Sequence, residues 1–432
     1  MYLASVEIRS IRSIEHFALQ FARSEYAGWH VIIGDNGSGK STLVRAIALA
    51  LAGPDEAPAL RIDWNEWIRH GKNLGRIVLN VDSDTKLDKA TARGRTHENY
   101  FVPAVIQLNR DPATGAVIMN ARGSKDIDPK RYLWGNGHGW FSASYGPFRR
   151  FAGGDRAFEK LFYSHPKLSR HLSAFGEDVA LTECLEWLQL LHVKQLENSA
   201  EGESLEYIKR FINEGGLLPH EARLQEISSN GVIFRDGNGN LIPVDQMSDG
   251  YRSVLSMTFE LIRQMVVAYD ADSVFQCIKQ GEMKIDLPGV VLVDEIDVHL
   301  HPTWQRKIGG WFRRYFPNVQ FIVTTHSPLV CQSADQGTVW RLPKPGGDTR
   351  TSGRVQGHEL DQLLYGDVLD AYGTELFGSD ITRSGTGQKL LERLALLNQK
   401  SRRNPLGEAE KAELASLRAS LPTAGAALQG AE

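Results

Sequence analysis

Residues 34–42 (GDNGSGKST) have the residue types and spacing of a phosphate-binding loop, G-x-x-x-x-G-K-[ST]. Three glycines allow the main chain to turn tightly and to point its N–H groups at phosphate oxygens. Lys40 offers a positive charge to the β- and γ-phosphates, and Ser41 offers a hydroxyl group to Mg²⁺. We therefore predict that ATP and Mg²⁺ bind here. The candidate nucleotide contacts in the loop are Gly34, Asp35, Asn36, Gly37, Ser38, Gly39, Lys40, Ser41 and Thr42.

An acidic pair follows a second apolar run. Residues 290–297 read VVLVDEID, and four apolar residues carry Asp294 and Glu295 to the end of a predicted strand, where open α/β sheets bind their ligands. Asp294 would hold Mg²⁺, directly or through water, and Glu295 would polarise a water molecule for attack on the γ-phosphate. Another apolar run ends in TTHSP, from which His326 could reach the same phosphate. The predicted catalytic residues are therefore Glu295, His326 and Lys40, and the predicted Mg²⁺ ligands are Ser41 and Asp294.

The hydropathy pattern predicts the elements that position these side chains. The phosphate loop lies between the apolar strand His30–Ile33 and a helix rich in Leu and Ala at Ser41–Ala52. A helix at Thr303–Tyr315 separates the strands Val290–Val293 and Gln320–Val323, which is the pattern of a parallel crossover unit. The sequence thus predicts an α/β fold with a parallel sheet at the site.

Other segments predict a β lobe and helices around this core. Gly-, Asp- and Asn-rich turns divide four β-like segments, which suggest an antiparallel lobe: Arg76–Val81, Val105–Asn109, Ala116–Asn120 and Phe141–Ser144. The further predictions are strands at Leu3–Ile8 and Phe17–Phe21, mainly helical sequence over Asp155–Gln225, a hairpin at 231–244 and a helix at Tyr251–Ala268.

Composition restricts the class of protein. The 432 residues are 42% hydrophobic and 23% charged, with a formal net charge of −3, which is typical of a globular protein rather than of a disordered or strongly basic one. The three cysteines are widely spaced, which favours neither a disulfide scaffold nor a zinc module. The N-terminal residues lack the pattern of a signal peptide, and no apolar run is long enough to cross a bilayer. We expect a cytoplasmic globular protein that does not associate with a membrane.

Several motifs, taken in order, resemble those of the ATP-binding-cassette (ABC) ATPases. They are GDNGSGKST at 34–42, MSDGYRS at 247–253, VVLVDEIDVHLHP at 290–302 and TTHSP at 324–328. Within that family they are similar to the soluble branch with SMC, RecF and OLD-type heads, and closer still to the ATPases of Septu and retron anti-phage systems. The resemblance covers about 1–60 and 230–345. It implies an ABC-ATPase head: a parallel P-loop core sheet and an antiparallel β lobe, with a helical insertion and a C-terminal helical extension.

The resemblance also assigns roles to single residues. Lys40 and Ser41 match the Walker A motif, Asp294 and Glu295 match the Walker B aspartate and the catalytic glutamate, and His326 matches the switch histidine. Lys40 and Ser41 end the loop after one predicted buried strand, and the other three lie directly after or close to the ends of two others. The resemblance therefore implies the same ATPase chemistry that the residue types predict.

Other residues match motifs that act between two subunits. Ser248 and Gly250 match the signature motif, which in this family contacts the γ-phosphate of the opposite subunit, although Asp249 stands where many members have Gly. Asp297 falls in the D-loop, and Arg12 matches an N-terminal nucleotide contact. A signature motif of this family cannot reach its own phosphate loop. The resemblance therefore implies an ATP-dependent homodimer with two sites.

We expect four domains. They are an ATPase lobe I at 1–150, a helical insertion at 151–228, an ATPase lobe II at 229–345 and a C-terminal helical region at 346–432 that ends in a frayed tail. Helices are predicted in the last region at Gly387–Gln399 and Gly407–Ala419, with Ser401–Arg403 between them. The Q-loop stays open between Gln107 and the segment 142–150 (SASYGPFRR).

Some patterns are ambiguous between a functional and a structural interpretation. Glu282 and Lys284, with Asp270 or Asp272, imitate a sparse nuclease pattern but favour a solvated loop. Residues 236–240 (DGNGN) resemble a calcium loop but favour a hairpin turn, and His299 and His301 favour a turn over a metal site. Basic residues beside aromatic ones predict solvated faces, with DNA contact as the alternative; they lie at 148–150 and at Arg306, Lys307, Arg313 and Arg314, near Trp304 and Trp311.

The leading functional prediction is an ATPase whose ATP-bound dimer gates a separate effector, a nuclease, in anti-phage defence. One alternative is a RecF-like ATPase that clamps DNA, with an affinity that depends strongly on salt. A second alternative is a scaffold that binds ATP with negligible turnover. A transporter ATPase is a weaker alternative, which the long gap between the phosphate loop and the signature motif disfavours.

Overall fold

The computed structural model describes residues 1–91, 101–123, 127–135, 137–151, 161, 164–176, 181–218, 220–346, 352–366, 385–403 and 405–420. The chain divides into two compact units, Met1–Gly366 and Asp367–Glu432. None of the helices within the described ranges combines the length and the apolar character that crossing a bilayer requires.

The first unit contains both strands and helices. Its strands are β1 (Tyr2–Ile11), β2 (Ile14–Gln20), β3 (Gly28–Ile33), β4 (Leu74–Asp82), β5 (Phe101–Arg110), β6 (Val117–Arg122), β7 (Ser142–Tyr145), β8 (Arg223–Ser228), β9 (Gly231–Arg235), β10 (Leu241–Pro243), β11 (Gly289–Val293), β12 (Val319–Thr325), β13 (Gly337–Arg341) and β14 (Gly353–Arg354). Its helices are α1 (Lys40–Ala52), α2 (Pro166–Ser169), α3 (Leu172–Phe175), α4 (Glu183–Leu196), α5 (Ser204–Glu214), α6 (Asp249–Tyr269), α7 (Ala271–Lys279), α8 (Pro302–Tyr315), α9 (Pro328–Cys331) and α10 (Gly357–Tyr365).

A six-stranded sheet positions the predicted site. Its strand order is β14-β13-β3-β12-β11-β7, and it is parallel except at the edge strand β14. Every residue of β3, β11 and β12 is buried, which explains why these strands are nearly continuous apolar runs. The register places Val323 of β12 between Val31 of β3 and Val293 of β11. The carboxyl ends of the three strands therefore meet at one edge of the sheet.

The second sheet of the unit is the predicted antiparallel lobe, with the order β2-β1-β4-β5-β6. Helix α1 contacts strands of both sheets and is buried along 11 of its 13 residues, which explains why it is apolar on almost every side. One hydrophobic cluster joins the two sheets through this helix, with fully buried residues such as Ile8, Ile47 and Ile77. The predicted α/β fold, a parallel sheet that carries the phosphate loop and an antiparallel β lobe, is confirmed.

The position of β7 corrects one prediction. The sequence predicts Phe141–Ser144 in the antiparallel lobe, but β7 pairs in parallel with β11, with Ala143 beside Val291. All four residues of β7 are buried, so the strand lacks the alternation that marks a one-sided antiparallel strand. The prediction was wrong because a four-residue buried strand carries no local sign of its sheet.

A small antiparallel sheet precedes α6. Strands β8, β9 and β10 form it in the order β10-β9-β8, and β8 begins within the last residues of the predicted helical stretch. The predicted hairpin is confirmed: in its turn the Asp236 carboxylate accepts hydrogen bonds from the main-chain N–H groups of Asn238 and Asn240 at 2.9 and 2.7 Å.

The described part of the second unit is a helical hairpin of α11 (Gly385–Arg403) and α12 (Glu408–Ser420). A leucine cluster joins the helices, and ion pairs Arg393–Glu413 (2.8 Å) and Lys400–Glu410 (2.5 Å) lie beside it. The predicted helices are confirmed, except that Ser401–Arg403 belongs to α11 rather than to a connection. The predicted frayed tail at 421–432 lies outside the described residues.

Candidate nucleotide-binding site

The phosphate loop connects β3 to α1. Gly39 has a φ of +103°, a conformation that residues with a Cβ rarely adopt. A Cβ at Gly39 would also lie 2.7 Å from Ser13 Oγ in the turn between β1 and β2. Two constraints therefore require glycine here, and they place the β1–β2 turn directly against the loop.

Lys40 folds back over the phosphate loop. Its Nζ donates to the carbonyl oxygens of Gly34 at 2.8 Å and Asp35 at 3.2 Å, and the residue is 5% exposed. Burial lowers the pKa of Lys40, and the carboxylates of Glu295 and Asp294 act in the opposite direction. The ammonium group and the acidic pair therefore lie in one electrostatic site, as the sequence predicts.

Asp294 and Glu295 follow β11, and Thr324 of the neighbouring strand holds both. The Thr324 hydroxyl donates to Asp294 Oδ1 at 2.6 Å and accepts the main-chain N–H of Glu295 at 2.8 Å. Asp294 is 2% exposed and Thr324 is fully buried, while Glu295 has a φ of +47°, which is uncommon for a residue with a side chain. No sequence motif assigns a role to Thr324, although its position directly after an apolar run was the available signal.

Asp297 and His326 complete this edge of the sheet. The hydroxyl of Thr325 donates to Asp297 Oδ1 at 2.6 Å, and the main-chain N–H of His326 lies 3.4 Å from the same oxygen. Burial lowers the pKa of His326, with a further contribution from Lys40, whereas Asp297 and Glu295 oppose the shift. The lowered pKa keeps the imidazole neutral at pH 7, with one N–H available to a phosphate oxygen.

The signature-like segment begins α6, the 21-residue helix. Ser248 is the exposed N-terminal cap, and its side chain makes no capping hydrogen bond. Asp249 pairs with Arg252 in the first turn. A Cβ at Gly250 would lie 2.8 Å from the carbonyl oxygen of His299. The segment thus packs on the turn after Asp297 and presents the start of a helix, where anions bind.

Arg12 lies in the turn between β1 and β2. Its main-chain N–H donates to the carbonyl oxygen of Trp67 at 2.9 Å, and its guanidinium lies 5.7 Å from the centroid of the Trp67 ring. The next residue, Ser13, is the one that packs on Gly39. The turn that contains Arg12 therefore lies against the phosphate loop through Ser13, while the Arg12 guanidinium lies over Trp67.

Of the two Q-loop candidates, one lies in the site. Gln107 lies in the antiparallel lobe on β5, in register with Arg76 and Asn120. The segment 142–150 contains β7, which pairs with β11, and the Tyr145 carbonyl oxygen accepts the N–H of Asp294 at 2.8 Å.

The basic stretch 148–150 requires a correction. Arg149 is 4% exposed, so this side chain is neither part of a solvated face nor available to DNA. Its guanidinium instead contacts the carbonyl oxygens of Asp294 and Glu295 at 2.8 and 3.1 Å. This role is not visible in the sequence, because the residue type alone predicts exposure.

The ambiguous patterns acquire structural roles. Glu282 and Lys284 pair at 2.8 Å in the loop after α7, and His301 caps α8 by accepting the N–H of Thr303. Within the described ranges, no group of three or more His, Cys, Asp or Glu side chains could hold a metal ion. Arg306 and Lys307 are exposed on α8, whereas Arg313 pairs with Asp335.

Two family models together match the segments that contain the phosphate loop, the acidic pair and His326. A family model for an AAA domain matches residues 5–111. A second model, for an AAA domain described as a putative AbiEii toxin of a type IV toxin–antitoxin system, matches residues 143–332. A Septu protein PtuA from Bacillus mycoides (strain KBAB4) is 23% identical over 345 residues, which are 78% of this chain and 40% of that protein. A retron Vc95 probable ATPase from Vibrio cholerae serotype O1 biovar El Tor is 22% identical over 378 residues, 76% of this chain and 71% of that protein. A crystal structure of an SMC head bound to the C-winged helix domain of ScpA covers 80% of this chain and 96% of its own, with 17% identity and a TM-score of 0.48.

Proposed function

We propose that this chain, a relative of the Septu and retron ATPases, binds and hydrolyses Mg²⁺-bound ATP at the loop 34–42. The observation that carries the proposal is the meeting of Lys40, Asp294, Glu295 and His326 at one edge of the parallel sheet, where the carboxylates act on the pKa of Lys40, and Lys40 and Glu295 act on that of His326. A phosphate loop alone predicts binding. A carboxylate and a neutral imidazole at the same edge add the groups that hydrolysis needs.

Each group has a chemical task in this proposal. Lys40 would exchange its contacts with two loop carbonyls for the β- and γ-phosphates, and Glu295 would accept a proton from the attacking water. His326 would donate its N–H to the γ-phosphate. Ser41 and Asp294 offer hydroxyl and carboxylate oxygens, the ligand types that Mg²⁺ prefers, and Thr324 holds the Asp294 carboxylate in one orientation. Mg²⁺ bound there would neutralise phosphate charge.

The proposed active form is a homodimer that encloses two ATP molecules. Ser248 is exposed at the start of α6, and its side chain makes no capping hydrogen bond. A second copy could therefore present its phosphates to Ser248 and Gly250, with Asp297 in the same interface. Hydrolysis would open the dimer.

The proposed biological role is control of a separate effector, a nuclease, in anti-phage defence. It is supported by the similarity to Septu and retron proteins. The chain spans less than half the length of the Septu relative. The effector is therefore proposed for this chain and is tested by experiment below. We place the protein in the reducing cytosol, because Cys184, Cys277 and Cys331 are all free.

Phosphate release from Mg²⁺-ATP by the purified chain tests the enzyme. Glu295→Gln should retain ATP binding and lower turnover by about 100-fold or more, and Lys40→Ala should abolish both. Glu282→Gln is the matched control, because this glutamate lies in an exposed loop, and it should behave as the unmodified chain. Bound ATP with no turnover by the unmodified chain would favour the scaffold alternative.

Light scattering with Mg²⁺-ATP tests the dimer. Glu295→Gln should give twice the monomer mass, and Ser248→Arg in that background should return the monomer. Ser229→Arg, in the exposed turn between β8 and β9, is the control and should leave the dimer intact. A monomer with bound ATP would contradict the proposed mechanism.

The effector is tested by purifying tagged Glu295→Gln with Mg²⁺-ATP from the cells that make it and identifying bound molecules by mass spectrometry. A nuclease present in stoichiometric amount supports the defence role. DNA alone, lost as the salt concentration rises, would favour the RecF-like clamp.

A further inference from the structure

A buried arginine lies behind the acidic pair. Arg149, in the segment after β7, is 4% exposed. Its guanidinium donates from Nε to Ser253 Oγ (2.9 Å), from Nη1 to the carbonyl oxygens of Gly146 (2.7 Å) and Asp294 (2.8 Å), and from Nη2 to those of Glu295 (3.1 Å) and Ile296 (3.5 Å). One side chain thus connects the end of β7, the turn after β11 and helix α6.

The hydrogen bonds of this guanidinium are saturated. An arginine side chain has five N–H donors, and Arg149 makes five contacts that involve all three of its nitrogens. Burial lowers the pKa of Arg149 to about 10, and the carboxylates of Asp294, Asp297 and Glu295 oppose the shift, so the group stays charged at neutral pH. A buried charge is tolerated when it is fully hydrogen bonded.

The acceptors surround the residue that would do the chemistry. Asp294, Glu295 and Ile296 are consecutive, and Glu295 has a φ of +47°. Residues in such sparsely populated conformations persist when the surrounding structure holds them. Arg149 holds the peptide groups on both sides of Glu295, and the hydroxyl of Thr324 holds its N–H.

The contact with Ser253 reaches helix α6, which begins with the signature-like segment. Ser253 lies five residues after Ser248, a rise of about 8 Å along α6. Ser253 is 1% exposed, so its hydroxyl meets Arg149 inside the protein. The start of α6 and the Glu295 turn are therefore joined through one guanidinium.

We propose that Arg149 is a positioning residue: it fixes the main-chain conformation that aims the Glu295 carboxylate, and it ties that turn to α6. The proposal rests on the ATPase function proposed above. Arg149 itself lies behind the turn, so it acts on turnover through the turn that carries Glu295.

Kinetics of Arg149→Lys test the proposal. Lysine keeps the charge but has three donors on one nitrogen and cannot span the five acceptors. We expect kcat to fall by about 100-fold, because small misplacements of a catalytic group have effects of that size, while KM for Mg²⁺-ATP stays within about threefold. Arg76→Lys, at an exposed position on β4, is the matched control and should match the unmodified chain.

A double-mutant cycle separates positioning from general damage. In the Glu295→Gln background, Arg149→Lys should lower the residual rate by less than about threefold, because two residues that act as a unit are not additive. An equal loss in both backgrounds, or no loss in either, would overturn the proposal. Ser253→Ala keeps four of the five contacts and should lower kcat by a smaller factor, which also vanishes in the Glu295→Gln background.

Hydrogen exchange provides a measurement that needs no turnover. In Arg149→Lys, the peptide that contains Glu295 should exchange its amide hydrogens faster, while the peptide that contains β3 stays unchanged. Unchanged exchange around Glu295 would also refute the inference. If the unmodified chain does not hydrolyse ATP, the proposed function fails, and this measurement still decides whether Arg149 holds the turn.

Discussion

Replacing Thr324 with valine removes one hydroxyl group and nearly preserves the shape of the side chain. Thr324 is fully buried at the carboxyl end of β12. Its hydroxyl donates to Asp294 Oδ1 at 2.6 Å and accepts the N–H of Glu295 at 2.8 Å. The valine variant therefore leaves a buried carboxylate without this donor and a main-chain N–H without this acceptor.

The loss of these two hydrogen bonds sets the expected decrease in the free energy of unfolding. A hydrogen bond to a charged group contributes about 1.5–3 kcal/mol, and stranding a buried donor costs about 1–3 kcal/mol. We expect Thr324→Val to lower the free energy of unfolding by about 3–5 kcal/mol, a large fraction of the usual 5–15 kcal/mol. Thr324→Ser keeps the hydroxyl and loses one methyl group, which costs about 1 kcal/mol.

Unfolding in urea, followed by tryptophan fluorescence, measures the effect. All nine tryptophans lie in the unit Met1–Gly366, so the signal reports on the unit that contains Thr324. The valine variant should also lose ATP turnover by about 100-fold, whereas the serine variant should retain most of it. Equal stability and equal turnover of the two variants would refute the role assigned to the hydroxyl.

Two further predictions address the loop and the core. Gly39→Ala should lower the affinity for Mg²⁺-ATP at least about tenfold in calorimetry, because alanine disfavours a φ of +103° and its Cβ would meet Ser13 Oγ; Gly310→Ala, where a Cβ meets open space, should bind normally. Burial lowers the pKa of His30 to about 4, so between pH 6.5 and 4 only the unfolded chain binds this proton and stability falls as the pH falls. Between pH 7 and 5 the free energy of unfolding, measured in urea, should fall by about 2 kcal/mol more in the unmodified chain than in His30→Gln. An equal fall in the two proteins would contradict the lowered pKa of His30.

The sequence predicts those parts of the fold that hydrophobic burial alone decides. Strands β3, β11 and β12 are buried at every position, so each is an apolar run that predicts its own limits to within a few residues. Helix α6 extends only two residues before and one after its predicted range. The motifs at the ends of these strands are then carried to one edge by parallel pairing.

The parts that the sequence does not predict depend on long-range partners. Strand β7 joins the parallel sheet through β11, which lies more than 140 residues later in the chain, and no local pattern identifies that partner. Arg149 has the residue type of a solvated side chain, yet four of its five acceptors are main-chain carbonyls that gather only in the folded protein. The role of Thr324 likewise follows from its contacts with the two residues directly after β11.

These contacts imply that the motif VDEID is insufficient for the proposed chemistry. The carboxylate of Glu295 is attached to a turn with a positive φ, and the groups that hold this turn are the Thr324 hydroxyl from β12 and the Arg149 guanidinium from the segment after β7. A related chain could keep the acidic pair and lose turnover by changing either partner. Because Arg149 also contacts Ser253 of α6, the conformation of this turn is bound to the helix whose exposed start would meet the second subunit. The proposed catalytic carboxylate and the proposed dimer surface therefore share one buried polar connection, and a change at its centre should impair turnover before it impairs ATP binding.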